Sequence, residues 1–281
     1  MLSKVGIVLL NWNGWRDTCP CLASLRRLHT VAAEVVVVDN ASTDDSLSRI
    51  RRDFPEVTPL ETSRNLGFAG GCNTGIRHLL GRDTDFFWLL NNDTIVDSGA
   101  LQALVDKARS NPNMGAVGSV IHSADPFAGL EAWGGGYINF WLGRSRHFRQ
   151  PVTDESLEFV TGASMLIRRE AVEDVGLLDE RFFMYWEDAD YCFRLREAGW
   201  KLGVAGDSHI CHKGSASVGK GSATLDRYFN ASATRFFEKH ARTPSIAVWT
   251  GVALRLGKRM LSGDWERARA VRAGANQVSE I

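Results

Sequence analysis

Residues 88–97 read WLLNNDTIVD, an apolar run that a group of polar side chains interrupts. Its first three residues have the character of a sheet core, and the apolar run resumes at Ile95. Between them stand Asn91, Asn92 and Asp93, which are costly to bury unless each finds a partner. Amide and carboxylate oxygens are hard ligands that suit Mg²⁺ or Mn²⁺. The break is therefore a candidate metal site, with a simple Asn/Asp turn as the alternative.

Two earlier strands end in the same polar manner. The runs VGIVLL (5–10) and EVVVVDN (34–40) predict strands that are buried on both faces. Asn11 and Asn13 follow the first of them, and Asp39 and Asn40 end the second. In parallel sheets, ligands bind beyond the carboxyl ends of the strands. One polar strand end would be ordinary loop chemistry, but three together predict a binding site at one edge of the sheet.

Strand and helix patterns alternate along the first part of the chain, which predicts an α/β fold with a mostly parallel central sheet flanked by helices. The helices are predicted at residues 18–29, after Ser42 as an N-cap, within residues 65–80 and at residues 98–109, and the further strands at residues 57–62, 85–93 and 114–122. Residues 123–160 are aromatic and glycine-rich, which predicts hairpins and loops over the cleft. Residues 224–273 have a helical pattern.

The bulk composition excludes some classes of protein. The 281 residues contain 33 Lys+Arg and 33 Asp+Glu, and this balance gives no support to nucleic-acid binding. Five scattered cysteines argue against a disulfide framework and predict reduced thiols in a cytoplasmic protein. The N-terminal apolar run is too brief for a signal peptide, and no stretch approaches the ~20 apolar residues of a membrane span.

The segment FFMYWEDADYCFRLREAGW supplies a candidate general base. A helix is predicted to begin near Trp186 and to end at Gly199. Helical spacing puts Asp188 on the apolar, inward face and predicts that Glu187 and Asp190 lie on a solvated stripe. The helix dipole lowers the pKa of Asp188, whereas the neighbouring acids and burial raise it, and the net direction stays open. A structural acid is the alternative role.

Two further segments carry candidate ligands. In HICHKGSAS, His209 and His212 are predicted to face opposite sides of a strand, so at most one reaches the cleft. An imidazole beside an Asp would favour Mn²⁺ over Mg²⁺. The glycine-rich segment at residues 62–76, TSRNLGFAGGCNTGI, resembles a phosphate-binding loop in which Arg64 would bind a diphosphate. The alternative for its glycines is a tight turn.

Taken together, the motifs resemble family 2 glycosyltransferases of the GT-A (nucleotide-diphospho-sugar transferase) fold, most closely the rhamnosyltransferase-like branch. In chain order the motifs are VLLNWNG, VVVVDNASTDDS, NLGFAGGCNTGI, WLLNNDTIVD, TGASMLIRREAVEDVGLLDERFFMYWEDADYCFRLREAGW and CHKGSAS. The resemblance implies a domain over residues 1–240, with a nucleotide-binding half at 1–122 and an acceptor half at 123–240. Residues 241–281 remain as a C-terminal amphipathic helical extension.

The resemblance also implies site roles. A divalent metal, Mg²⁺ or Mn²⁺, would be held by Asp93, which ends the family's DxD motif, and by His212. Asn91 replaces the first acid of that motif, so the phosphates would carry more of the metal binding. Asp188 matches the catalytic base. The nucleotide-sugar would be bound by Asn11, Asn13, Asp39, Arg64, Asn73, Asn92, Gly162 and Ala163, and the acceptor by Trp133, Trp186 and Glu187.

The expected activity is an inverting transfer of a sugar, L-rhamnose from dTDP-rhamnose, to a hydroxyl of a polysaccharide or polyprenyl-linked glycan in cell-envelope synthesis. A UDP-sugar donor is an alternative. A nucleotidyltransferase would need an early basic phosphate loop, and NWNGWRD is a poor one. An inactive carbohydrate-binding protein is a third possibility, against which the presence of Asp188 and His212 argues.

The C-terminal residues 244–273 form a candidate membrane-contact segment. Helical spacing puts an apolar set on one face, namely Trp249, Val252, Ala253, Leu256 and Met260. Positive charge comes from Arg255, Lys258, Arg259, Arg267, Arg269 and Arg272. A basic amphipathic helix can lie in a membrane interface, here the inner face of the cell membrane. The alternatives are packing on the domain or on a second subunit, as in a homodimer.

Overall fold

A curled central sheet organises the computed structural model, which describes residues 3–28, 32–125, 127–214 and 222–277. The strands of the described residues are β1 (Lys4–Asn11), β2 (Ala32–Asp39), β3 (Thr58–Glu61), β4 (Phe86–Asn91), β5 (Thr94–Val96), β6 (Met114–Ser123), β7 (Leu130–Trp133), β8 (Gly135–Asn139), β9 (Arg144–His147), β10 (Phe159–Val160), β11 (Ser164–Arg168) and β12 (Lys201–His212). The helices are α1 (Trp15–Leu25), α2 (Ser46–Asp53), α3 (Gly67–Leu80), α4 (Ala100–Ser110), α5 (Arg169–Val175), α6 (Glu187–Glu197), α7 (Ala223–His240), α8 (Pro244–Leu261) and α9 (Trp265–Asn276).

The strand order of the main sheet is β3-β2-β1-β4-β11-β6-β12-β5, with β7 paired to β6. Within the described ranges, β11, β5 and β7 run against the direction of the other six strands. The prediction of a mostly parallel α/β sheet is therefore confirmed. A second sheet, ordered β10-β8-β9, comes from the segment predicted to form hairpins.

Both faces of the sheet are covered, as the double-sided apolar runs predict. Val8 and Val38 pack in one core cluster with residues of α3, while Ile7 and Leu9 pack in another with residues of α1 and α4. The glycines of α3 allow its close approach. A Cβ on Gly71 would lie 2.2 Å from Leu10, and one on Gly75 would lie 2.5 Å from Val8. These two glycines pack the helix on β1, a use that neither sequence interpretation anticipated.

Two local predictions are wrong. Ser42 is not a helix N-cap, because α2 begins at Ser46, whose N–H donates to the Asp44 carboxylate at 3.0 Å. The Ser42 hydroxyl instead accepts from the Asn13 N–H at 2.9 Å. The first helix covers Trp15–Leu25 rather than residues 18–29. It starts earlier because the short loop after β1 turns directly into it.

The helices α7, α8 and α9 are joined by one buried carboxylate. Asp226 of α7 accepts from Arg259 of α8 at 2.9 Å and from Arg267 of α9 at 2.6 Å. The residues predicted to share one apolar face of the C-terminal segment differ in exposure: Val252 is buried, whereas Trp249, Ala253 and Met260 are exposed. No helix among the described residues is long and apolar enough to cross a membrane.

Candidate active site

A cavity of about 400 Å³ lies where the carboxyl ends of several strands meet the smaller sheet. The ends of β1, β4 and β12 reach it from the main sheet, and β9 reaches it from the smaller one. Eight of the predicted site residues line it: Asn92, Asp93, Gly162, Ala163, Trp186, Glu187, Asp188 and His212. The cavity is wide enough for a sugar-sized ligand.

The remaining predicted site residues stand apart from the cavity lining: Asn11, Asn13, Asp39, Arg64, Asn73 and Trp133. Asn11 donates to the Asp39 carboxylate at 2.8 Å, so this pair braces the ends of β1 and β2. Asn73 donates to the carbonyl of Leu178 at 2.8 Å and accepts its N–H at 3.1 Å. Arg64 is exposed.

One wall of the cavity holds a carboxylate–imidazole–carboxylate row. His212 Nε2 lies 3.2 Å from Asp93 Oδ1, and its Nδ1 lies 3.2 Å from each oxygen of Glu131. Burial alone would lower the pKa of His212, but the two carboxylates outweigh it and raise that pKa to about 9. Asp93 is 6% exposed, so its charge acts in a poorly solvated place.

The donor set of Asp93 and His212 fits Mn²⁺ or Mg²⁺, because it offers one hard oxygen and one imidazole nitrogen on the same wall. Glu131 would then hold the other imidazole nitrogen, which is the usual outer partner of a metal-binding histidine. No group of three or more His, Cys, Asp or Glu side chains in the described part of the chain is arranged to hold a metal by itself. Phosphate oxygens of a bound ligand would have to complete the coordination.

Asp188, at the start of α6, also lines the cavity. Its Oδ2 accepts the N–H of Gly162 at 2.9 Å, and its Oδ1 accepts the N–H of Ala189 at 2.7 Å. Burial raises the pKa of Asp188, and these N–H groups offset only part of that rise. The net direction of this pKa shift, which the sequence alone left open, is therefore upward, which suits the candidate role of a general base near neutral pH.

The solvated stripe predicted beside Asp188 is wrong. Glu187 is 6% exposed and Asp190 is fully buried. Asp190 is balanced there by Arg194 at 3.0 Å and His240 at 2.8 Å. Helical spacing identified which residues share a face, but α7 covers that face, and the sequence gives no signal of this packing.

Glu187 and Trp186 leave polar atoms without partners in the cavity wall. Within the described residues, Glu187 Oε2 and Trp186 Nε1 are buried and have no hydrogen-bond partner. Burial raises the pKa of Glu187 well above its usual value, and the charge of Asp188 adds to this rise. Trp186 also has φ +69°, a left-handed conformation that is costly for a bulky residue. Strain and orphaned polar groups together are typical of ligand-binding walls.

The sequence reasoning missed several residues of the cavity. Glu131 and His147 come from β7 and β9, and Asn65 and Phe68 come from the loop after β3 and from α3. Asn40, which the sequence places at the polar end of the second strand, also lines the cavity. Burial lowers the pKa of His147, although the charge of Asp188 opposes that shift. Glu131 stands alone in an aromatic, glycine-rich stretch, so no spacing rule could single it out.

Comparison with known proteins identifies the class. The fold matches the mannosyltransferase PcManGT from Pyrobaculum calidifontis, solved in complex with GDP-Man and Mn²⁺, with a TM-score of 0.64 at 18% identity, covering 99% of this chain and 81% of that one. This likeness shows that the chain has the GT-A fold. The family match and the relatives described next show that it is a glycosyltransferase that uses a nucleotide-sugar. Residues 7–176 match the model of glycosyl transferase family 2, and the chain belongs to this family.

The relatives place the chain in the rhamnosyltransferase-like branch of the family. It is 30% identical over 226 residues to the N-acetylglucosaminyl-diphospho-decaprenol L-rhamnosyltransferase of Mycobacterium tuberculosis, covering 72% of this chain and 74% of that protein. It is 24% identical over 221 residues to the dTDP-rhamnosyl transferase RfbF of Shigella flexneri, covering 75% of this chain and 70% of that protein.

Proposed function

We propose that the enzyme transfers L-rhamnose from dTDP-rhamnose, with inversion, to a hydroxyl of a polysaccharide or polyprenyl-linked glycan in cell-envelope synthesis. The observation that carries this proposal is that the Asp188 carboxylate and the Asp93–His212 pair line one cavity. The names of the two relatives support the sugar, and one of them supports a polyprenyl diphosphate acceptor.

The base acts on the acceptor. Asp188 takes the proton of an acceptor hydroxyl, whose oxygen then attacks the anomeric carbon of the donor. The new C–O bond forms as the bond from that carbon to the diphosphate breaks, and the nucleoside diphosphate leaves with the electron pair. The N–H groups of Gly162 and Ala189 fix the carboxylate for this role, since each holds one of its oxygens. Attack from the face opposite the leaving group inverts the anomeric centre.

The Asp93–His212 wall would bind the donor diphosphate through a divalent metal, Mg²⁺ or Mn²⁺, which supplies positive charge to the departing oxygens. The mannosyltransferase of similar fold was solved with Mn²⁺. Glu131 fixes the ring of His212 by accepting from Nδ1, so that Nε2 stays directed at Asp93. Asn92 lines the same wall, while Asp39 and its partner Asn11 shape the loop beside the nucleotide.

The acceptor would meet the wall of Trp186 and Glu187. Their unpartnered polar atoms match the hydroxyls of a sugar. Gly162 and Ala163 leave room for the donor sugar beside Asp188. We place the reaction at the cytoplasmic side of the cell membrane, where a polyprenyl-linked acceptor would be reached.

Release of nucleoside diphosphate tests the proposal. The enzyme is incubated with dTDP-rhamnose and a panel of UDP-sugars, with Mn²⁺ and then with EDTA. Release only from dTDP-rhamnose, lost with EDTA and increased by an N-acetylglucosaminyl lipid, is the expected result. Release from a UDP-sugar instead would revise the donor.

Two other outcomes would overturn the activity itself. Formation of pyrophosphate and a new nucleotide-sugar from a nucleoside triphosphate would indicate a nucleotidyltransferase. Saturable sugar binding without any nucleoside diphosphate release would indicate a carbohydrate-binding protein.

A further inference from the structure

The outer face of α8 is apolar where a soluble helix is normally polar. Eight large hydrophobic side chains are exposed among the described residues. Six of them lie within residues 246–265, and a seventh, Trp141, belongs to a turn whose carbonyl contacts α8. These seven, called here the tryptophan face, are Trp141, Ile246, Trp249, Leu254, Met260, Leu261 and Trp265. Contiguous exposed apolar surface of this kind is rare on monomeric proteins unless something covers it.

The rotation of α8 about its axis exposes the apolar side chains of the tryptophan face. Ile246, Trp249 and Met260 follow helical spacing on the solvent side. Two of the arginines face the protein instead: Arg255 donates to Asn230 at 2.6 Å, and Arg259 donates to Asp226 at 2.9 Å. On α8, these two arginines therefore face the protein together with Val252, whereas Trp249 faces solvent. The hydrogen bonds of the arginines fix this rotation of the helix.

The tryptophan face is linked to the cavity through the β8–β9 turn. The carbonyl of Trp141 accepts from Thr250 at 2.7 Å, which joins the β8–β9 turn to α8. The strand after that turn, β9, carries His147 into the cavity wall. Trp265 extends the face from α9, where it shares a helical side with exposed Arg269 and Arg272.

We propose that the tryptophan face docks on the surface of a membrane with anionic lipids. Tryptophan favours the level of the lipid headgroups, because its ring is apolar and its N–H is polar. The exposed cations Arg242, Lys258, Arg269 and Arg272 around the face attract anionic headgroups. A second copy of this chain fits less well, because twofold pairing of the face would bring the same cations together. The choice of a membrane rests in part on the proposed lipid-linked acceptor.

Vesicle co-sedimentation of the full chain tests the proposal without donor or acceptor. The enzyme is expected to bind phosphatidylcholine vesicles that contain phosphatidylglycerol, and to bind pure phosphatidylcholine vesicles more weakly. The triple variant Trp141→Gln, Trp249→Gln and Trp265→Gln should bind at least about tenfold more weakly. The matched variant with Phe at the same positions should retain most of the binding. These side chains are exposed, so both variants should keep the melting temperature of the parent.

Two results would overturn the proposal. One is the absence of vesicle binding by the parent protein, and the other is equal binding by the parent and the triple Gln variant. Analytical ultracentrifugation distinguishes the second-copy alternative: a dimer that the Gln variant dissociates, without vesicle binding, would assign the face to a homodimer. Nucleoside diphosphate release with a water-soluble acceptor is measured in parallel. If the parent binds vesicles but releases none, the proposed function fails while the membrane surface stands.

Discussion

At the scale of single residues, the two neighbouring acids at the start of α6 have different surroundings. Asp188 holds two backbone N–H groups, whereas Glu187 has an oxygen without a partner in the described structure. Burial raises the pKa of both groups. An acid stabilised by N–H donors can ionise and act as a base, while an unsupported acid tends to keep its proton. This difference supports the proposal that Asp188 is the base.

Asp188→Asn should lower kcat by about 10²–10⁴-fold, because the amide cannot accept the proton of the acceptor. Binding of the nucleotide-sugar, measured by calorimetry, should change little. In the parent enzyme, kcat/KM should fall as pH drops through the raised pKa of Asp188, since only the ionised form is a base. Near-normal turnover by the variant would contradict the assignment. Asp97→Asn, at an exposed site, is the control.

Glu187→Gln should stabilise the protein near pH 8. The raised pKa of Glu187 means that its contribution to stability is complete below the unfolded pKa of 4.5 and is lost as pH rises through the folded pKa. A neutral amide avoids that loss. We expect a melting temperature several degrees above the parent at about pH 8 and a smaller difference near pH 5, since an unsatisfied buried group costs about 1–3 kcal/mol. Equal melting temperatures at both pH values would show that the carboxyl finds a partner in solution.

At the scale of elements, sequence patterns predicted the positions of the strands more reliably than which side of each helix is buried. The double-sided strands and their polar ends followed from local composition, and the elements lie close to the predicted positions. The orientation of α6 and α8 could not be predicted from local sequence, because it depends on the ion pairs of Asp190 with His240 and of Arg259 with Asp226. These contacts join residues far apart in the chain. Glu131 was missed for the same reason, since only folding brings it to His212.

The junction of α7, α8 and α9 provides a test at this scale. Asp226→Ala should lower the stability by about 2–3 kcal/mol, roughly 4–12 °C in melting temperature, because two partly buried arginines lose their partner. Burial would raise the pKa of Asp226, but Arg259 and Arg267 outweigh it and lower that pKa. Its stabilisation is therefore present above the unfolded pKa of 3.8 and is lost as pH falls through the folded pKa.

The matched control is Glu266→Ala, which removes an exposed acid from the first turn of α9. Its effect should stay below about 1 kcal/mol, the size of a helix-dipole interaction at the surface. Equal melting temperatures for the two variants at neutral pH would show that the Asp226 junction contributes nothing beyond a surface charge.

At the scale of the whole molecule, the cavity joins the two predicted halves. The Asp93 wall follows β4 in residues 1–122, whereas His212 and Asp188 come from residues 123–240. A ligand that bridges these walls must stabilise the whole fold, because it binds only when both halves are in place. Sequence motifs predicted that these residues converge, but they left the depth of the cavity and its second wall undetermined.

A ligand that contacts both halves of the cavity should raise the melting temperature. With Mn²⁺ and dTDP at about 100 times its Kd, the protein should gain about 2.7 kcal/mol, or roughly 5–10 °C in melting temperature. EDTA should remove most of this gain, because the diphosphate then faces the Asp93 carboxylate without a metal between them. Asp93→Asn should reduce the Mn²⁺-dependent part, whereas Asp97→Asn should not. A dTDP-induced shift of the same size with EDTA or with Asp93→Asn would show that the diphosphate binds without a metal at this wall, and would move the proposed metal site elsewhere.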